Sequence, residues 1–413
     1  MHDRPNEETQ VKNTQEKRTP HKRGVSVWKP ILLAILAALL FIGIFAGGLC
    51  YYVTEIYKPP VSTDPPPFHT DPVSTQPAQP GVDDQTTPPV EEVYIRKDGC
   101  YNFLVIGKDR VGLNTDVIMI VNYNVNSGEV SILQLPRDTY IEYHDKAHKI
   151  NSLYAYLYVQ EYYGGNTQTP AKEGVAKFAD ILQQNLNMKI DYTFLVDLAA
   201  FSEIVNAIGG VYVDVPDDMD YEDPDQDLYI HLKKGPQWLN GDKAEDFIRF
   251  RSGYVTADIG RIDAQKIFIS AMVKQIKSSF TLDTIGKIAE IVVNRVQTDM
   301  SLVDATHFAS KALSVDLSSI HFLTMPGTDA RANVDSGAWY YIIHRADSLA
   351  IINRYFNVYE KDISNDIFDK NFAFTSEDKE HIMEIYHTDL SDEFDIKSAE
   401  QINQDSIYIP RLP

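Results

Sequence analysis

Arg249, Arg251 and Arg261 stand together in one short stretch, FIRFRSGYVTADIGRIDAQ (Phe247 to Gln265), of a chain whose formal net charge is −21. A guanidinium stays ionised and offers planar, forked donors that match phosphate oxygens. Three gathered in one segment therefore need anions to face, either carboxylates of the same chain or the phosphates of a ligand. Between Tyr101 and Met300 the only other arginines are Arg110, Arg137 and Arg295, and the first two fall in loop-like spots. A helix read through GRIDAQ puts Arg261 and Gln265 four residues apart on one face, able to hold one ligand together. The stretch reads as a phosphate-binding helix start. Pairing with the abundant Asp and Glu is the competing reading. It serves for any one arginine, but surface pairs are worth little and do not call for Arg over Lys.

Such residues need strand ends and helix starts to position them. CYNFLVIGKDR reads as a buried strand running into a loop, its apolar run Phe103 to Ile106 followed by Gly107 and charged residues. DVIMIVNYN and GEVSILQLP read as two further strands joined by a turn at NVNSG. Asp109, Asp116, Arg137 and Asp138 then fall at strand ends, where open α/β sheets build ligand crevices. HKINSLYAYLYVQEYYGG sets Lys149 beside Asn151 and opens an apolar-aromatic helix that ends at Gly164 and Gly165. Its Tyr154, Tyr158 and Tyr162 recur at helical spacing, as core packing does.

Further on, Ala171 to Met188 is an amphipathic helix, DYTFLVDL a strand, AAFSEIVNAIGG a short helix closed by glycine, and VYVDVP a strand. DDMDYEDPDQD is expected as an acidic loop; it lacks the glycine and terminal Glu of an EF-hand calcium loop. LNGDKAEDFIRF and Arg261 to Lys277 are expected as helices, as are Asp283 to Arg295, Leu302 to Leu313 and Trp339 to Phe356, with IHFLTMP as one more strand. This alternation predicts an α/β fold, a central, mostly β sheet flanked by helices in α-β-α layers.

The ends of the chain carry other signals. Residues 1–30 are polar, with Lys17, Arg18, Lys22, Arg23 and Lys29 crowded ahead of an uncharged run from Ile31 to Val53. That run is long enough for a helix to cross roughly 30 Å of hydrocarbon, and the basic flank keeps the N-terminus in the cytoplasm. It is expected to be a retained membrane anchor, with the remainder outside the cell. A lipoprotein reading through Cys50 is weakened by the apolar YYV after it. Residues 54–92 hold a proline-rich stretch with Thr, Ser, Asp and Gln, expected as an extended, solvated stalk. A catalytic domain is expected over 93–300, a helix-and-strand extension over 301–368 and an acidic, weakly ordered tail over 369–413. The acidic balance argues against nucleic acid as a partner, since duplex binding rests on Lys and Arg neutralising phosphates. Cys100 is the only cysteine of the expected extracellular part, which excludes a disulfide within it.

Four blocks, FLVIGKDR with NTDVIMI, SILQLPRDTYIEY, HKINSLYAY and the arginine stretch, together with DYTFLVDLAAFSEIVNAIGGVYVDVP, occur in an order that resembles the LytR-CpsA-Psr family of cell-wall glycopolymer transferases. The resemblance covers about residues 98 to 280, besides the topology ahead of them. It implies an enzyme that takes a polyprenyl pyrophosphate-linked glycan and moves the glycan-phosphate onto peptidoglycan, in a Gram-positive type envelope. It also implies that Asp109 and Asp116 hold Mg²⁺ or another divalent ion, and that Arg110, Arg137, Lys149, Arg249, Arg251, Arg261 and Gln265 contact the pyrophosphate. Arg137, Asp116, Arg249 and Arg251 form the expected catalytic set. There are two departures from the family pattern: Asn114 and Thr115 replace an Arg-Ser pair, and Ala264 stands where a second Arg is usual. A pyrophosphate donor carries its own activation, consistent with the absence of GxxxxGK[ST]; HExxH and GxSxG are absent too. The polyisoprenoid needs an apolar slot, for which the helices Ser152 to Tyr163 and Arg261 to Lys277 are candidates, as are plain core roles for both. A non-catalytic binder that regulates wall assembly, and a pyrophosphatase acting on the same lipid, would use the same arginines.

Overall fold

Successive residues of a strand face opposite sides of its sheet, so one strand can serve two cores. Phe103 and Leu104 do this: both are buried, but Phe103 joins one apolar cluster and Leu104 the other. The computed structural model describes residues 52–61, 94–108, 112–144, 146–224, 228–250, 258–279, 281–332, 338–364, 382–385 and 397–398. It divides into residues 1–57, of which the described part includes a short π-helical turn at Tyr52–Ile56, and residues 58–413. The elements that follow belong to the second unit.

The strands β1 (Cys100–Lys108), β2 (Thr115–Asn124) and β3 (Glu129–Gln134) form an antiparallel meander. A hairpin of β4 (Tyr140–Tyr143) and β5 (Lys146–Lys149) leads into α1 (Ile150–Tyr163) and α2 (Pro170–Leu186). Next, β6 (Tyr192–Asp197) runs parallel to β1 and passes directly into α3 (Leu198–Ala207), whose first turn Asp197 caps by accepting the Ala200 N–H at 2.7 Å. Then β7 (Val211–Val215), β8 (Met219–Asp223), β9 (Leu228–Leu232) and β10 (Gly235–Leu239) fold into two ribbons, β7 with β10 and β8 with β9. The helices α4 (Gly241–Arg249), α5 (Asp258–Ser278) and α6 (Leu282–Arg295) follow, then β11 (Gln297–Thr298), α7 (Leu302–Ala312) and β12 (Ile320–Thr324). The described remainder comprises β13 (Gly327–Ala332), β14 (Trp339–Ile343), α8 (Arg345–Ile351), a π-helical turn at Ile352–Phe356, β15 (Ile382–Ile385) and β16 (Lys397–Ser398). Seven strands make the central sheet, in the order β11-β6-β1-β2-β3-β12-β16.

Helices cover this sheet on both faces, which gives the expected α-β-α layering. On one face Leu104, Ile106, Ile118, Ile120 and Leu133 pack against α1, α2 and the segment around Leu349 to Phe356. On the other, Phe103, Tyr123 and Ile132 pack against α3, α4, α5 and the ribbons. The extension after residue 300 is part of this architecture, since β12 pairs in parallel with β3 as the next-to-last strand of the central sheet.

Several expectations are corrected. The acidic segment before β9 is a strand, β8: Met219 is buried and Asp220 and Glu222 are exposed, an alternation hidden by the density of Asp. Trp339 to Ile343 is a strand paired with β13, and helix begins only at Arg345. Leu239, expected within the LNGDKAEDFIRF helix, instead ends strand β10, and the helix starts at Gly241. Of Tyr154, Tyr158 and Tyr162, only Tyr154 is fully in the core and Tyr162 is exposed. Within the acidic tail, the described residues form two short strands, β15 on β13 and β16 on β12. The expected membrane span lies outside the described residues, apart from its last positions; among the described residues no helix is long and apolar enough to cross a membrane.

Candidate active site

The two faces of the sheet differ in how completely they close. On the α3–α5 face a cavity of about 230 Å³ remains. Its floor is the sheet itself, Val105 and Gly107 of β1 with Val117 and Met119 of β2. Gly107 lies where the register of β1 against β2 shifts, and a Cβ there would meet the Val117 Cβ at 3.0 Å. The walls are Phe201 and Ile204 of α3 and Phe268, Ile269 and Met272 of α5. Polar groups gather in the same lining: Lys108, Asp116, Asp197, Arg249 and Gln265. The site is thus an apolar slot with charged groups at the ends of β1, β6 and α4.

Carboxylates orient Arg137, Lys149 and Arg249. Arg137 Nη1 donates to Asp116 Oδ1 at 2.9 Å. Lys149 Nζ lies 3.1 Å from Asp138 Oδ1 and 5.9 Å from the centre of the Tyr340 ring. Arg249 Nη1 donates to Glu245 Oε1 at 3.1 Å, one turn back on α4, and both side chains are nearly buried. The Ser202 hydroxyl of α3 donates to Glu245 Oε2 at 3.3 Å, which ties this pair to the neighbouring helix. The helices approach closely there because residue 241 is glycine: a Cβ would run into the Ser202 carbonyl oxygen. Next to Glu245, burial pushes the Asp246 carboxyl up to about 6, with the Glu245 charge adding to the shift and Arg249 opposing it.

The backbone fastens the other wall. The Asn151 N–H donates to the Arg137 carbonyl at 3.1 Å, and Ile150 N–H to the Thr139 carbonyl at 2.8 Å. Thr115 Oγ1 donates to the Asn151 carbonyl at 3.4 Å. The start of β2, the loop after β3 and the start of α1 are therefore one connected unit holding Asp116, Arg137 and Lys149.

Of the residues singled out from the sequence, Asp116, Arg249 and Gln265 border the cavity, Arg137 is bonded to Asp116, and Lys149 joins through Asp138. For Arg249 the structure realises the carboxylate-pairing reading, and Arg137 and Lys149 are paired with carboxylates as well. Gln265 is buried, accepts from Gln134 Nε2 of β3 and donates to the Ile248 carbonyl at 3.3 Å, so its amide links sheet and helix. Asp109, Arg110 and Arg251 lie outside the described residues; Arg261 falls in helix α5, with its side chain outside the description. Ala264 is fully buried in the α5 core and Thr115 fully buried at the start of β2, whereas Asn114 beside it is exposed.

Sequence reasoning passed over Lys108, Asp197 and Glu245. Glu245 had a signal, its spacing of four from Arg249 on one helix. Asp197 had one as well, an Asp between a strand and an apolar helix start. Lys108 was overshadowed by the motif residues after it. The slot also corrects an expectation: α5 lines it, whereas α1 packs into the core on the opposite face of the sheet.

The LytR_cpsA_psr family profile matches residues 73–356. The chain is 29% identical over 276 residues to the polyisoprenyl-teichoic acid–peptidoglycan teichoic acid transferase TagU of Bacillus cereus, an alignment covering 66% of this chain and 83% of the relative. It is 27% identical over 220 residues to the corresponding transferase TagV of Bacillus subtilis, across 52% of each chain, so it spans about half the length of that relative. The crystal structure of B. subtilis TagV superposes with a TM-score of 0.50 at 23% identity, covering 66% of this chain and 98% of that one, a likeness in fold. Taken with the motif order and the layered sheet, the profile match across most of the chain establishes that the protein belongs to the LytR-CpsA-Psr family.

Proposed function

We propose that the protein is a phosphotransferase that moves a glycan-phosphate from a polyprenyl pyrophosphate carrier to peptidoglycan. One observation carries this reading: charged groups border a cavity whose floor and walls are otherwise apolar. An amphiphile with a pyrophosphate head and a hydrocarbon tail matches that arrangement, and the transferases TagU and TagV among its relatives act on polyisoprenyl-linked teichoic acid. Lying outside the membrane by the reading of residues 31–53, the protein would meet such a lipid at the bilayer surface.

In this reading the isoprenoid lies between α3 and α5, against Phe201, Phe268 and Met272. Arg137 and Arg249 hold pyrophosphate oxygens with Arg110, Arg251 and Arg261, while Asp116, Asp138 and Glu245 orient the cations. An acceptor hydroxyl of peptidoglycan attacks the glycan-side phosphorus; the new P–O bond forms as the bond to the lipid phosphate breaks, and the hydroxyl proton passes to solvent water. Polyprenyl phosphate departs. Such a transfer needs positioning and charge neutralisation more than a covalent protein intermediate. The donor set suits Mg²⁺, which is bound by one or two carboxylates together with substrate phosphates; Asp116 supplies one carboxylate at the cavity and Asp109 would be the second. When bound, that ion supplies Lewis-acid neutralisation of the pyrophosphate.

The test is the full chain in detergent, given a lipid-linked glycan and peptidoglycan oligomers with and without chelator. Glycan-phosphate joined to peptidoglycan only with metal present, and lost in Asp116→Asn, is the expected outcome. Release of glycan to water alone would favour the pyrophosphatase, and binding without product the regulatory binder.

A further inference from the structure

The α3–α4 pair has a second end. α3 runs away from the cavity and α4 runs back toward Arg249, so the start of α4 lies about 12 Å along its axis from that arginine, at 1.5 Å per residue. There, Asn206, Gly209, Gly210, Trp238, Asn240 and Lys243 line a surface pocket of about 320 Å³. Both glycines have φ of +86°, and a Cβ on Gly210 would meet the Leu239 carbonyl at 2.9 Å, so part of the floor is bare backbone.

Beside it the β7–β10 ribbon presents rings to solvent. Trp238 and Tyr212 are register partners, 55% and 53% exposed, with ring centroids 5.6 Å apart, and Pro236 lies exposed on the same face. Exposing two large aromatics together is costly unless they have work to do, and cross-strand ring contact accounts for only part of their area. The polar groups beside them are donors. Asn206 Oδ1 accepts the Gly241 N–H at 2.8 Å and Asn240 Oδ1 accepts the Lys243 N–H at 3.1 Å, which turns the amide NH₂ groups of both residues to other acceptors.

We propose that this pocket and its aromatic strip bind the glycan strand of the peptidoglycan acceptor, as a station remote from the pyrophosphate site; this rests on the transferase reading. Pyranose rings have an apolar C–H face for Trp238 and Tyr212, and their acetamido and hydroxyl oxygens accept from Asn206, Asn240 and Lys243. A polyol-phosphate chain fits worse. It lacks a ring to stack, and its repeated charges call for several cations, whereas this surface offers Lys243 with the Asp214 carboxylate facing the same way.

The full chain in detergent is titrated with chitotetraose, a soluble stand-in for an N-acetylhexosamine strand, by calorimetry and by tryptophan emission; the chain has three tryptophans in all. Saturable binding with a shift in emission is expected. Trp238→Ala should weaken it roughly tenfold, the upper range for a specific aromatic contact, while Trp238→Phe keeps most of the affinity. Far-UV circular dichroism and the melting profile check that the exposed substitutions leave the fold intact. No saturable binding in the wild type, equal affinity in folded Trp238→Ala, or preferential binding of a glycerol-phosphate oligomer would overturn the proposal. Polyprenyl-pyrophosphate binding, measured separately on the same proteins, is expected to be unchanged by Trp238→Ala; its absence from the wild type would sink the transferase reading while the sugar titration still judges the platform.

Discussion

The two faces of the central sheet are built from the same strands and do different things. Against α1 and α2, Leu104, Ile118 and Leu133 meet Leu153, Phe178 and Leu182, all fully buried. Against α3 and α5, alternate residues of the same strands border an unfilled slot with paired charges beside it. Close packing supplies stability, and the slot gives some of it up. The difference teaches that the face with voids and buried charge is where ligand chemistry is to be sought, even though the faces alternate residue by residue along one strand.

Substitutions sharpen this contrast. Phe178→Ala on the sealed face should cost about 3 to 5 kcal/mol in denaturant unfolding, the range for a truncated core aromatic. Phe201→Ala, at the slot wall, should cost clearly less because part of its surroundings is already empty; equal losses would break the distinction between the faces. Glu245→Ala leaves Arg249 with its buried partner removed, and about 3 kcal/mol of stability should go with it. Ile269→Trp fills the slot. Its melting temperature should change little, with a cost of about 1 kcal/mol at most, while binding of a polyprenyl pyrophosphate is lost, as a lipid titration would register.

The smallest effect concerns Asp246. Its folded-state pKa of about 6 lies above the ordinary carboxylate value of 3.8, because burial disfavours the charge. Its contribution to stability is therefore full below the ordinary value and is lost as pH rises through about 6. Asp246→Asn should raise the melting temperature at pH 7, and the gain should vanish near pH 4. A gain that is the same at both pH values would mean that ionisation is not its source.

Much of this arrangement was legible in the sequence. The strands FLVI, DVIMIV and VSILQL announce themselves by apolar, β-branched runs, and Asp116 and Arg249 do border one cavity, with Arg137 bonded to Asp116. What stayed hidden depends on tertiary context. A strand as acidic as Met219 to Asp223 is recognised by which side chains are buried, which its composition obscures. Trp339 to Ile343 is apolar enough for either element, and only pairing with β13 decides. The tyrosine-rich helix α1 and the aliphatic α5 were both apolar enough to be offered as lipid walls, yet α1 faces one side of the sheet and α5 the other. Gln265 has the type and spacing of a ligand contact, but its partners Gln134 and Ile248 come from distant segments that no local reading joins.

The most direct test of the central claim places the lipid tail. A polyprenyl pyrophosphate carrying a photoactivatable group in its isoprenoid is bound to the full chain in detergent, irradiated, and the adducts are mapped by mass spectrometry. Adducts on Phe201 of α3 and on Phe268, Ile269 or Met272 of α5, competed away by unlabelled lipid, are the expected result. Specific adducts on Tyr156 or Tyr158 of α1, on the opposite face of the sheet, would contradict it.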